Sequence, residues 1–209
     1  MDLRGLNKGL PKKDIEAQHT ELAQLAKDHP GQVIPFILID PRSGTLEFIK
    51  RLHQEGIPVS QQSLNNVEFK GIKLYPPLGY SPSDKIFQYA NQHKLPVTTH
   101  CMSRGGVWTD SLPASTLVNY TAPCSYATIL KTSYPDMRLC LAHFGGNKEW
   151  DDYLSRNRNI NLSLEQMDCV SQIVTMMKSG QYPNLYADIS CFYHVQVPRQ
   201  CKTTFVATS

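Results

Sequence analysis

Two patterns of apolar residues alternate along this chain. One is a short apolar run closed by turn residues, as in Val33-Ile34-Pro35-Phe36-Ile37-Leu38-Ile39, Phe69-Lys70-Gly71-Ile72-Lys73-Leu74-Tyr75, Leu95-Pro96-Val97-Thr98-Thr99-His100-Cys101, Leu139-Cys140-Leu141-Ala142-His143-Phe144-Gly145-Gly146 and Asn184-Leu185-Tyr186-Ala187-Asp188-Ile189-Ser190. Runs this short, rich in β-branched residues and bounded by Gly, Pro or Asp, predict strands buried on both faces. The other pattern repeats apolar residues at helical spacing. It predicts a helix over 11–28 with Ile15, Leu22, Leu25 and Ala26 on one side, stopped by His29-Pro30-Gly31. A second helix is capped by Ser43, carries Leu46, Ile49 and Leu52 on one face and ends at Gly56. Further helices are predicted over 83–93, with Ile86, Phe87 and Ala90, and over 126–133. The last begins at a Ser163/Gln166 capping box and places Leu164, Met167, Val170, Ile173, Val174 and Met177 on a core-facing stripe. The stretches 60–66 and 102–123 read as loops, the second long enough to border an active site.

Strands alternating with helices predict right-handed βαβ units and a parallel sheet. The spacing of the units fits a (β/α) barrel with elaborated loops. A complete barrel takes about 250 residues, so the 209 here hold about six units.

Composition narrows the function classes. A net charge of +3 with both signs interspersed offers no basic block for nucleic acid and no charged stripe for a membrane surface. The longest apolar stretch, 33–39, is far short of the roughly 20 residues of a spanning helix, and the amino terminus has no hydrophobic signal core. The 6 cysteines form no C-x-x-C pair, so reduced thiols in a soluble cytoplasmic protein are expected rather than a zinc ribbon or a disulfide framework. The expected partner is a small-molecule substrate, and a homo-oligomer is left open.

Two of the strands deliver a histidine to their carboxyl ends, His100 and His143. In parallel α/β sheets that rim is where ligands bind, although a lone strand-end histidine is more often a hydrogen-bonded structural residue. Lys73 ends another strand. Tyr75 and Arg104 lie near the same rim, placed to meet an anionic substrate or simply to be structural or solvated. Asp188 reads as a hydrogen-bonded strand residue.

The strand motifs, with Asp40-Pro41-Arg42 after the first and Pro76-Pro77-Leu78-Gly79-Tyr80 after the second, together resemble the amidohydrolase superfamily, in particular its amidohydrolase-related branch. The resemblance covers residues 1–190 and rests on the order and spacing of the motifs. It implies a (β/α)8 TIM-barrel type fold with a mononuclear or binuclear metal site, zinc foremost and manganese or iron as alternatives. By position it makes His100 the ligand of the fifth strand and His143 that of the sixth, with His143 free to act in catalysis. Lys73 falls where some members carry a carboxylated lysine. Two features of the family are missing: no His-x-His pair occurs, and the aspartate of the eighth strand has no counterpart. The resemblance therefore implies a truncated barrel lacking its first and last strands over 1–190, followed by a divergent tail over 191–209, from a natural truncation or a misjoined gene model. It implies hydrolysis of C–N bonds or a related decarboxylation, with this fragment itself inactive. Two alternatives stand beside it. One is a Schiff-base aldolase using Lys73, since a lysine in an apolar site becomes a nucleophile when its pKa falls. The other is a non-catalytic barrel remnant acting as an interaction protein.

Overall fold

A computed structural model describes residues 13–40, 46–59, 66–81, 85–102, 112–155 and 162–190 of the chain. Five strands, β1 (Phe36–Leu38), β2 (Gly71–Leu74), β3 (Val97–Met102), β4 (Leu139–Gly145) and β5 (Leu185–Ala187), form one sheet in the order β1-β2-β3-β4-β5. Every neighbouring pair is parallel. The fold is thus α/β with a parallel sheet, as the alternating pattern predicts.

Register explains which side of the sheet is core. Ile37, Ile72, Val97, Leu139 and Leu185 stand level across all the strands, and every one is buried. Burial of each such side chain contributes about 1.5–3 kcal/mol. One residue further along, the level row is Leu38, Lys73, Thr98, Cys140 and Tyr186, and none of these is buried. Alternation of side chains along a strand makes the first row one face and the second row the other. Lys73 and, by the same alternation, Tyr75, His100 and Asp188 fall on the second face.

Helix α1 (Ile15–Asp28) starts where the Asp14 carboxylate accepts the Ala17 N–H at 2.7 Å. Its buried positions are His19, Ala23 and Ala26, whereas Leu25, expected on the inner face, is 47% exposed. The true stripe is turned toward a histidine that a purely apolar count passes over. His19 reaches β1: Leu38 N–H donates to its Nε2 at 3.0 Å, and its Nδ1 lies 2.6 Å from the Ile15 carbonyl. The Leu38 N–H points away from β2, because Ile39 N–H is the one that reaches the Lys73 carbonyl. Part of the outer edge of β1 is therefore occupied by an imidazole instead of lying open, as a truncated sheet would leave it. Exposed apolar residues do flank the edges: Ile34 at 62%, Tyr186 at 50% and Ile189 at 76%.

Helix α2 (Leu46–Lys50) runs into a wide helical turn, Arg51–Glu55, and buries Ile49 and Leu52 before Gly56 ends it. Gly56 has φ +68°, and a Cβ there would lie 2.6 Å from the Val67 carbonyl oxygen, so glycine is required twice over. Helix α3 (Lys85–Gln92) buries Ile86, Phe87 and Ala90 as predicted, together with Tyr89. The Ser43 cap and most of the 60–66 loop lie outside the described residues.

Three segments depart from expectation. The predicted 102–123 loop contains helix α4 (Ala114–Thr121), which buries only Leu117 and Thr121 and so leaves almost no periodic signal. Helix α5 (Asn147–Ser155) is equally silent, its sequence being mostly polar. The capping box at Ser163 exists, but it opens a single turn, Leu164–Gln166; helix α6 (Cys169–Lys178) begins afresh at Asp168, whose carboxylate accepts the Ser171 N–H. That restart rotates the stripe. Val170, Ile173 and Met176 enter the core, and Met177 is left 36% exposed.

Candidate functional site at the strand-end histidines

The site is built where β3 and β4 end. His100 sits on β3 directly level with Ala142, one residue before His143 on the adjacent strand. Beyond Ala142 the backbone leaves the extended region: His143 has φ +70°, Phe144 +43°, Gly145 +83° and Gly146 +84°. Two successive non-glycine residues in the left-handed region cost energy that surrounding contacts must offset, and such strain gathers at functional sites. The glycines that follow are needed for contact as well as conformation. A Cβ on Gly145 would stand 3.0 Å from Val170 Cγ2 at the start of α6, and one on Gly146 would stand 2.7 Å from Met102 Cε. The left-handed run turns His143 toward β3.

His100 Nδ1 and His143 Nε2 consequently face each other at 3.1 Å, with ring centroids 4.8 Å apart and planes crossing at 68°. Tyr75 packs its ring against the outer side of His100, 4.5 Å between centroids, while its own N–H donates to the Tyr80 hydroxyl. His100 is buried, and its Nε2 has no hydrogen-bond partner among the described residues. On the far side, His143 Nδ1 lies 2.8 Å from Ser190 Oγ, and His143 N–H donates to Asp188 Oδ1 at 2.9 Å. Asp188 also accepts from Ser190 N–H at 3.0 Å and from the Ser190 hydroxyl. One carboxylate thus grips both the backbone and, through Ser190, the ring of His143.

Electrostatics keep both imidazoles neutral. Burial, reinforced by His143 and the Lys73 ammonium and opposed by Asp188, lowers the His100 pKa to about 3. Burial and Lys73 likewise hold His143 below its ordinary value, again against Asp188. For Asp188 itself burial pushes upward, but the hydrogen bonds from Ser190 and the His143 backbone prevail and leave the carboxyl below its usual range. Cys140, level with Lys73 across β3, is pushed up by burial and by Asp188, so it stays a thiol.

Of the residues predicted from sequence, His100, His143, Lys73 and Tyr75 meet at this rim. Arg104 lies outside the described residues. Asp188 is hydrogen-bonded at a strand end, as predicted, but its partners make it part of the histidine constellation. Ser190 went unnoticed in the sequence. The available signal was an Asp-x-Ser following the strand adjacent to the His143 strand, which two-residue alternation places on one side. Among the described residues, no three His, Cys, Asp or Glu side chains are grouped to hold a single metal ion. No helix among the described residues is long and apolar enough to cross a membrane. Comparison with protein-family models, curated proteins and solved structures finds no match for this chain.

Proposed function

We propose that this chain carries part of the active site of a metal-dependent hydrolase of C–N bonds, or of a related decarboxylase, acting on a small-molecule substrate. The observation that carries the proposal is the facing pair of imidazole nitrogens, 3.1 Å apart at the carboxyl ends of adjacent parallel strands. Two imidazoles bound to one zinc ion at about 2.0–2.1 Å each span a separation of this order. Both rings are neutral at physiological pH, the state in which an imidazole is a ligand. His100 Nδ1 and His143 Nε2 would therefore hold zinc, or manganese or iron. A divalent ion held there would supply Lewis acidity toward a carbonyl and activate water.

The remaining residues set the limits of such a site. Catalytic zinc normally has three protein ligands, and two imidazoles fall short of that. As an ammonium, Lys73 opposes a cation beside it; converted to a carbamate by carbon dioxide, it would become an anionic donor. Tyr75 fixes one wall through its contact with His100. With two donors alone, the expected behaviour of the 209-residue chain is weak metal binding without useful turnover. The same proposal treats the sheet as an arc of a (β/α)8 barrel. Its support is a strand order that repeats chain order, parallel throughout, as successive barrel strands run. A strand added beyond β1 would have to displace His19 from Leu38.

Calorimetric titration of the full chain with zinc tests the assignment. Measurable affinity that falls at least tenfold in both His100→Ala and His143→Ala is expected. Equal affinity in the parent and both variants would remove the metal from this rim.

A further inference from the structure

Ser190 Oγ lies within hydrogen-bonding distance of two groups, Asp188 Oδ1 and His143 Nδ1, yet a hydroxyl has one proton to give. An ionised carboxylate accepts only, so the serine proton goes to Asp188. Ser190 then offers His143 a lone pair, and Nδ1 must bring the hydrogen. A neutral imidazole carries a single N–H, which leaves His143 Nε2 as a bare lone pair. The partner of that lone pair is His100 Nδ1 at 3.1 Å, which must in turn be the N–H. His100 Nε2 is left bare, and it is the buried nitrogen without a partner among the described residues.

From this ordering we infer that Asp188 and Ser190 are positioning residues that fix both histidines in the Nδ1–H tautomer, so that His143 directs its Nε2 lone pair at His100. The inference deepens the metal reading and rests on it for its purpose, but the tautomers follow from the hydrogen-bond chain alone. Asp188 acts on His143 at two points, the N–H of a left-handed residue and, through Ser190, the ring. This arrangement also dictates what a cation must do to bind. Occupying the two facing nitrogens requires the His100 proton to move from Nδ1 to the vacant Nε2. No proton leaves the protein, since one N–H is broken and one is formed on the same ring.

The test is a long-range 15N–1H correlation spectrum of the labelled, metal-free full chain at pH 7.5, with ring signals assigned through His100→Gln and His143→Gln variants. Nδ1–H forms are expected for both rings. Ser190→Ala should shift His143 toward the Nε2–H form and weaken zinc binding about 10–100-fold, the usual cost of losing the partner of a liganding histidine. Ser190→Thr, which keeps the hydroxyl, should restore both. Asp188→Ala, which removes the acceptor, should act like Ser190→Ala, and if it disturbs the fold the serine variants still decide. An Nε2–H form of His143 in the parent chain, or a tautomer indifferent to Ser190→Ala, would overturn the inference. Correct tautomers in a chain that binds no zinc would instead refute the metal reading and leave the positioning role standing.

Discussion

The N–H of Leu38 on the edge strand donates to Nε2 of His19 on the first helix, at 3.0 Å. Through this bond a buried imidazole takes the place that a neighbouring strand would fill. Burial lowers the pKa of His19, outweighing the Ile15 carbonyl that favours its charged form. The unfolded chain therefore binds the extra proton more readily. The contribution of His19 to stability is complete above the ordinary histidine value of 6.5 and declines as the pH falls below it. Urea denaturation at pH 7.5 and 5.5 should show a loss of stability on acidification that is smaller in His19→Ala. At pH 7.5 that variant should be destabilised by about 2–4 kcal/mol, from the lost packing and an unpaired N–H. An equal pH response in both chains would show that the imidazole is not protected from protonation.

Gly71 is the base on which the Phe36 ring rests. A Cβ there would lie 2.3–2.7 Å from three atoms of that ring. Gly71→Ala should cost about 2–3 kcal/mol by overpacking. Adding Phe36→Leu should recover part of the loss, and a double-mutant cycle in urea measures it. Additive effects would mean that the ring moves aside freely.

Thr99 and Tyr126 share a hydrogen bond of 2.8 Å inside the core, and both are fully buried. Tyr126→Phe should cost about 1–3 kcal/mol, because the threonine hydroxyl loses its partner without gaining water. Thr99→Val combined with Tyr126→Phe should cost less than the two separately. The thermal midpoints of the three variants check this.

Lys73 separates the metal-dependent reading from Schiff-base chemistry. Borohydride treatment in the presence of small aldehydes and ketones should leave the mass of Lys73 peptides unchanged. A stable adduct at that residue, abolished by Lys73→Met, would make the aldolase reading the better one.

Gly145 has φ +83° and touches α6, so Gly145→Ala should disturb the histidine pair from a distance. The expected result is a destabilisation of about 1–3 kcal/mol together with altered ring signals of His143. Unchanged ring signals would uncouple the left-handed run from the orientation of the imidazole.

The strands were legible in the sequence because each is a short, mostly apolar run closed by turn residues, and Lys73 and Thr98, polar residues within them, fall on the face opposite the buried row. His100 and His143 were legible for the same reason, as polar residues ending such runs. What could not be read were helices α4 and α5, which bury too few apolar side chains to leave a period, and the inward position of His19, a polar residue on a core face. Ser190 shows a further limit. Its importance lies in facing a residue 47 positions away, a relation carried by strand register and not by local pattern.

The coincidence of strand order with chain order has a consequence for how the molecule is made. During synthesis each strand leaves the ribosome with its only earlier neighbour already present, so the sheet can grow from its amino-terminal edge without waiting for distant partners. The histidines of β3 and β4 emerge before Asp188 and Ser190. For on the order of seconds at typical elongation rates, the nascent chain would hold His143 without the carboxylate that secures it, leaving the rim the last region to mature.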